Sequence, residues 1–131
     1  MNEIELELPM PPSINVAYST NFETKRRFKS QAYKDWEDSL PIQKRYIFTP
    51  EKGKALAVHY EFYSQWLNKK PTKTNPTMHK KKDSSNFLKV LEDSFSSFIT
   101  NFDDSFIWET TYKKVHSNRE IVKVTIKEIN I

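Results

Sequence analysis

An α+β fold is predicted for this chain: a mixed α/β single domain spanning 1–131, in which a four-stranded sheet is packed with two helices in the order β-α-β-α-β-β. Three features predict it. Apolar residues alternate with polar ones near the amino end and again in mid-chain, two segments show helical spacing, and a pair of strand-like runs closes the sequence.

"EIELEL" places Ile4, Leu6 and Leu8 on one face and glutamates on the other, the pattern of a half-buried strand. "PMPPS" ends it, because proline cannot donate to a ladder. From Pro9 to about Phe28 little periodicity is visible, so this part is expected to be a loop, with the basic group "KRRFK" on it. "SQAYKDWEDSL" spaces Ala32, Tyr33, Trp36 and Leu40 as one helical stripe behind a Ser30 cap, and Pro41 should end or kink that helix. "KALAVHYEFYSQW" is a long strand with Leu56, Val58, Tyr60 and Phe62 on one side. A loop follows whose main message is charge: Lys69, Lys70, Lys73, Lys80, Lys81 and Lys82. Ser84 or Ser85 can cap the next helix, which buries Phe87, Val90, Leu91, Phe95 and Phe98 and runs to about Ile99. "FIWETTYKKV" and "EIVKVTIKEI" then read as a hairpin closed by "HSNR", with Ser117 and Asn118 in its turn.

The 131 residues suit one domain, and 37% hydrophobic with 14% aromatic content supports a modest core. Lysine and arginine outnumber acids by 21 to 17, which favours a polyanionic partner, nucleic acid first among them. The chain has no cysteine, which excludes disulfides, thiolate nucleophiles and Cys-ligated zinc. Its one glycine, Gly53, excludes a glycine-rich phosphate loop. His59, His79 and His116 match no metal spacing. No apolar run reaches the ~18 residues of a membrane helix, so a cytoplasmic protein with no membrane partner is expected.

One stretch concentrates the candidates for chemistry. In "KKKDSSNFLKVLEDS", Asp83 follows three lysines at the mouth of a helix, and Asn86, Lys89 and Asp93 recur along one helical stripe. Asp103 and Asp104 occupy the turn after the helix. If that turn returns to the helix start, the carboxylates converge, repel one another and call for a cation. Mg²⁺ suits such a site, since it needs one or two protein carboxylates plus water and phosphate oxygens. Plainer readings stand beside this one. Lys89 and Asp93 make an ordinary i, i+4 pair, Asp83 suits the positive end of a helix, and adjacent aspartates are common in turns.

In order and over nearly the whole chain, "LPMPPSINVAY", "SQAYKDW", "KDSSNFLKVLED" and "FDDSFI" resemble the RusA family of Holliday junction resolvases. The family's motif is D-x-D-N-x-x-K, followed further along by an Asp-Asp pair. Asp83, Asn86 and Lys89 fall on its first aspartate, asparagine and lysine, and Asp104 on the second member of the pair. The resemblance implies a homodimeric, Mg²⁺-dependent endonuclease, with Mn²⁺ as a substitute, that makes paired symmetric nicks in four-way junction DNA during recombination and repair. It makes Asp83 and Asp104 metal ligands, Asp103 a helper ligand, and Lys89 the residue that assists cleavage. Lys25, Arg26, Arg27, Lys80, Lys81 and Lys82 become DNA contacts. Family members are often carried by phages.

The chain departs from the motif at Ser85, which stands where the family has its second aspartate. Asp103 or Glu92 could supply the missing carboxylate, or a water held by Ser85 could suffice, while Asp93 more plausibly orients Lys89. The alternative is a protein that binds junctions through the same basic loops with an impaired metal site. A small basic protein that binds only other proteins leaves the "KKKD" junction and the aspartate pair unexplained.

Overall fold

The computed structural model describes residues 3–40 and 46–131. Its α+β class agrees with the expectation. Strands β1 (Glu3–Pro9), β5 (Lys54–Ser64), β7 (Ile107–His116) and β8 (Ile121–Asn130) form one sheet in the order β1-β8-β5-β7. Ile4, Leu6 and Leu8 face Ile126, Val124 and Val122 across the β1–β8 ladder, and these face Val58, Tyr60 and Phe62 on β5. All nine are buried, so a single apolar face crosses three strands. On the opposite face Glu3 stands against Lys127 and Glu7 against Lys123, so it is lined by charge pairs.

The buried face is covered by helices α1 (Ile14–Ala17), α2 (Gln31–Asp38) and α3 (Ser85–Phe98). Ser30 caps α2 as its sequence suggests, its hydroxyl accepting from the Tyr33 amide at 3.2 Å. Tyr33 and Trp36 are buried, and the Trp36 indole donates to the Pro9 carbonyl at 2.9 Å. Ala32 is exposed, outside the stripe to which its spacing assigned it. Pro41, the expected stop of that helix, lies outside the described residues. The α3 cap differs from expectation. Neither Ser84 nor Ser85 caps with its side chain; the Asp83 carboxylate accepts from the Ser85 amide at 3.0 Å, because Ser84 is turned inward and buried.

Two expectations are corrected. Residues 9–28 are not a plain loop. They hold α1 and a strand, β2 (Tyr18–Asn21), which pairs with β3 (Arg26–Lys29) as a small hairpin. Short strands with exposed polar faces bury too little to show apolar alternation, so periodicity misses them. The closing strands are likewise not a hairpin: β8 inserts between β1 and β5, and β7 pairs parallel with β5 on its far side. Residues 117–120 step across the end of β5, where the Ser117 amide donates to the Ser64 carbonyl at 2.9 Å. The inner slot goes to the strand that can fill it. Val122, Val124 and Ile126 are essentially unexposed, whereas "ETTYKK" of β7 is polar on both faces and suits an edge. Two residue pairs, β4 (Tyr46–Ile47) and β6 (Ile99–Thr100), form a parallel bridge beside the C-terminal end of α3.

Candidate active site

An aromatic ladder decides where the acidic turn lies. Tyr60 on β5 stacks with Phe95 on α3 at 6.4 Å between centroids, Phe95 meets Phe102 edge-on at 5.5 Å, and Phe102 meets Phe106 at 6.4 Å. Phe102 and Phe106 flank Asp103 and Asp104, so the turn is pinned beside the later part of α3 and not beside its start. A single 3-10 turn, Asp104–Phe106, follows, capped by the Asp103 carboxylate, which accepts from the Ser105 amide at 2.8 Å.

The buried stripe of α3 leaves Lys89, Glu92, Asp93 and Ser96 on its other side. Glu92, Asp93, Ser96, Phe102 and Asp104 line an open cleft of about 360 Å³, closed on the other wall by Tyr18 and Lys29 from the base of the hairpin. The Lys89 ammonium bonds the Asp93 Oδ1 at 2.9 Å, and the Tyr18 hydroxyl donates to the other oxygen, Asp93 Oδ2. Burial and then the Asp93 bond push the Tyr18 hydroxyl far above its ordinary value, so it stays a donor at any working pH. Asp93, with Asp104 and Glu92 adding negative charge, raises the Lys89 ammonium, so that lysine stays charged. Lys29 pairs with Glu37 at 2.9 Å and sits 4.8 Å over the Tyr33 ring. Burial likewise pushes the Tyr33 hydroxyl up to about 12.

Glu92 is the carboxyl under most stress. Partial burial pushes it up, Lys89 pulls it down, and the like charges of Asp104 and Asp93 push it up again. Beneath it the Tyr60 hydroxyl is buried, feels the Glu92 charge and has no hydrogen-bond partner. A desolvated carboxylate repelled by its neighbours beside an orphaned hydroxyl is an all-oxygen environment that a small hard cation would relieve. Among the described residues no three His, Cys, Asp or Glu side chains close on one point. Two carboxylates, Glu92 and Asp104, line the same cleft.

The structure thus brings together Lys89, Asp93 and Asp104 with Glu92, one of the two residues the sequence offered for the missing carboxylate. Asp83 is not among the residues that line this cleft. It winds the first turn of α3 through the Ser85 amide, which holds its carboxyl below the usual range, with Lys114 as its charged neighbour. Asp83 lies two residues before the first residue of α3, whereas Glu92 lies seven residues into it. Ser85 is exposed and Asn86 half-buried in that same turn. Of the candidate DNA contacts, Lys25, Arg26, Arg27 and Lys81 are exposed and Lys80 is half-buried. Lys82 is tied down: its ammonium bonds Ser64 at 2.6 Å, pairs with Glu120 at 3.8 Å and lies 4.8 Å over Trp66. Tyr18 was missed from sequence, and Lys29 was seen only as part of the basic group "KRRFK", because both reach the cleft through the hairpin, which carries no periodic signal.

A one-sided mixed sheet thus backs a helix whose outer side carries Lys89, Glu92 and Asp93 next to Asp104. The family model for the endodeoxyribonuclease RusA matches residues 9–127, and the chain belongs to that family. It is accordingly a nuclease of the kind that hydrolyses phosphodiester bonds in Holliday junctions. No curated relative matches the chain. Among the described residues no helix is long and apolar enough to cross a membrane.

Proposed function

We propose that the chain is a divalent-metal-dependent endonuclease that resolves four-way junctions by paired symmetric cuts, and that the cleft between α3 and the hairpin base is where it cuts. What supports this most is the convergence of Lys89, Glu92, Asp93 and Asp104, three of which lie on α3 and the fourth on a turn that the aromatic ladder brings to it. In this reading Glu92 supplies the carboxylate absent at Ser85. Glu92 and Asp104 would hold Mg²⁺ or Mn²⁺, which when bound polarises the scissile phosphate and activates a water. Lys89 neutralises charge developing on the phosphate, Asp93 aims Lys89, and Tyr18 aims Asp93. Lys29 on the opposite wall holds a neighbouring phosphate.

A homodimer is part of the same proposal, because two symmetric cuts in a two-fold junction call for two sites related by a two-fold axis. The outer edge of β7 supports it. No strand pairs with that edge among the described residues, and antiparallel pairing of two copies about Thr111 would set Glu109 of one opposite Lys113 of the other.

The test is incubation of a synthetic four-way junction with wild type, Asp104→Asn and Lys89→Ala, with Mg²⁺ and with chelator. Wild type should nick symmetrically only with metal, and both variants should bind the junction yet cut at least ~100-fold more slowly. Binding without cleavage at any Mg²⁺ or Mn²⁺ concentration would assign the chain to the non-catalytic alternative.

A further inference from the structure

The β2–β3 hairpin carries more than its base contributes to the cleft. Tyr18 pairs with Lys29 and Thr20 with Arg27, so these four side chains share the face turned to Asp93, and the Arg27 guanidinium lies 4.6 Å over the Tyr18 ring. Between Tyr18 and Lys29 the hairpin holds Lys25, Arg26, Arg27 and Lys29 against the single acid Glu23. Its tip is set by hydrogen bonds. Asn21 Oδ1 accepts from the Glu23 and Thr24 amides at 2.9 and 3.2 Å, the Lys25 amide donates to the Asn21 carbonyl at 2.7 Å, and Lys25 takes φ +57°. The tip so fixed presents Phe22 with 92% of its surface exposed.

Four residues at ~3.3 Å each put that tip roughly 13 Å from the cleft. The major groove is ~12 Å wide, so a phosphate held in the cleft sets Phe22 one groove width away, among cations that track the backbone. Isolated exposed apolar residues are ordinary. An aromatic on the tip of a cationic hairpin at that distance from a nuclease cleft matches the pairing of stacking platform and basic groove that binds unpaired bases.

We propose that Phe22 stacks on base faces exposed at the branch point, and that this contact, with Lys25, Arg26 and Arg27 on the flanking phosphates, gives the enzyme its preference for branched over linear DNA. A continuous duplex hides its base faces in the stack, whereas strands exchanging partners expose them. The inference rests on the junction-cutting function proposed above.

The experiment measures Kd in chelator for a four-way junction and for linear duplex of the same sequence, using wild type, Phe22→Ala and Phe22→Trp, with 2-aminopurine at the branch point as a second readout. Phe22→Ala should bind the junction about 5- to 150-fold more weakly, the range for loss of one stacked base, with linear binding unchanged. Phe22→Trp should restore junction affinity, and the 2-aminopurine signal should change on binding of wild type and Phe22→Trp only. Unaltered junction preference in Phe22→Ala, or equal losses on both DNAs, would overturn the stacking role while wild-type preference left the function standing. A wild type with no junction preference would overturn both.

Discussion

Tyr18, Asp93 and Lys89 form a chain of contacts in which each group limits the freedom of the next. A hydrogen bond to a charged group contributes about 1.5–3 kcal/mol, so Tyr18→Phe should slow cleavage by roughly tenfold or more with junction Kd unchanged. Thermal unfolding separates this positioning role from loss of fold: the Tm of Tyr18→Phe should stay near that of wild type while its single-turnover cleavage rate falls. Glu92 carries a second prediction at this scale. Its folded carboxyl stands above the ordinary value of 4.5, so the folded chain binds the proton more tightly than the unfolded one. Stability from this group is therefore full below about 4.5 and falls as pH rises through the folded value. In chelator, Glu92→Gln should raise Tm by a few degrees at pH 7 and by nothing at pH 4, as scanning calorimetry would read. Added Mg²⁺ should raise the Tm of wild type but not of Glu92→Gln. Asp83, Asn86, Lys89 and the aspartate pair were legible in the sequence because motif and helical spacing mark them. That Glu92 sits with Asp104 was not, because it depends on where a turn lands.

The landing is a property of elements. Phe95 and Phe98 follow helical spacing and were legible as core, whereas Phe102 and Phe106 lie in an aperiodic turn, and the packing of Phe102 on Phe95 and of Phe106 on Phe102 sets Asp104 beside Glu92 and Asp93. Phe102→Ala should destabilise the fold by about 1–2 kcal/mol, the contribution of a half-buried aromatic. It should also cut metal-dependent cleavage well beyond what the lost stability explains, measured below the Tm with folding followed by circular dichroism. The exchange of β7 and β8 teaches the same lesson. Strict alternation in β8 and two polar faces in β7 were both visible, but two adjacent strands with a short turn favour a hairpin by proximity alone. Burial of Val122, Val124 and Ile126 between β1 and β5 outweighs that local preference.

For the whole molecule, fold class and basic balance followed from pattern and composition, while the open edge of β7 needed the sheet order. If that edge joins two copies, Glu109→Lys should sediment as monomer and the double change Glu109→Lys with Lys113→Glu as dimer. Lys80 and Lys81 lie on the charged loop, so charge reversal there should weaken junction and linear DNA alike and flatten the salt dependence of binding. The central claim is that one cleft, built on Glu92 and Asp104, cuts the junction. Its most direct measurement is the single-turnover cleavage rate of pre-bound junction in saturating Mg²⁺ for Glu92→Gln beside Asp83→Asn. An Asn at 83 can still accept the Ser85 amide, so the account predicts loss of at least ~100-fold for Glu92→Gln and under ~10-fold for Asp83→Asn. The reverse order, with Glu92→Gln near wild type and Asp83→Asn inactive, would contradict it and place the metal at the start of α3.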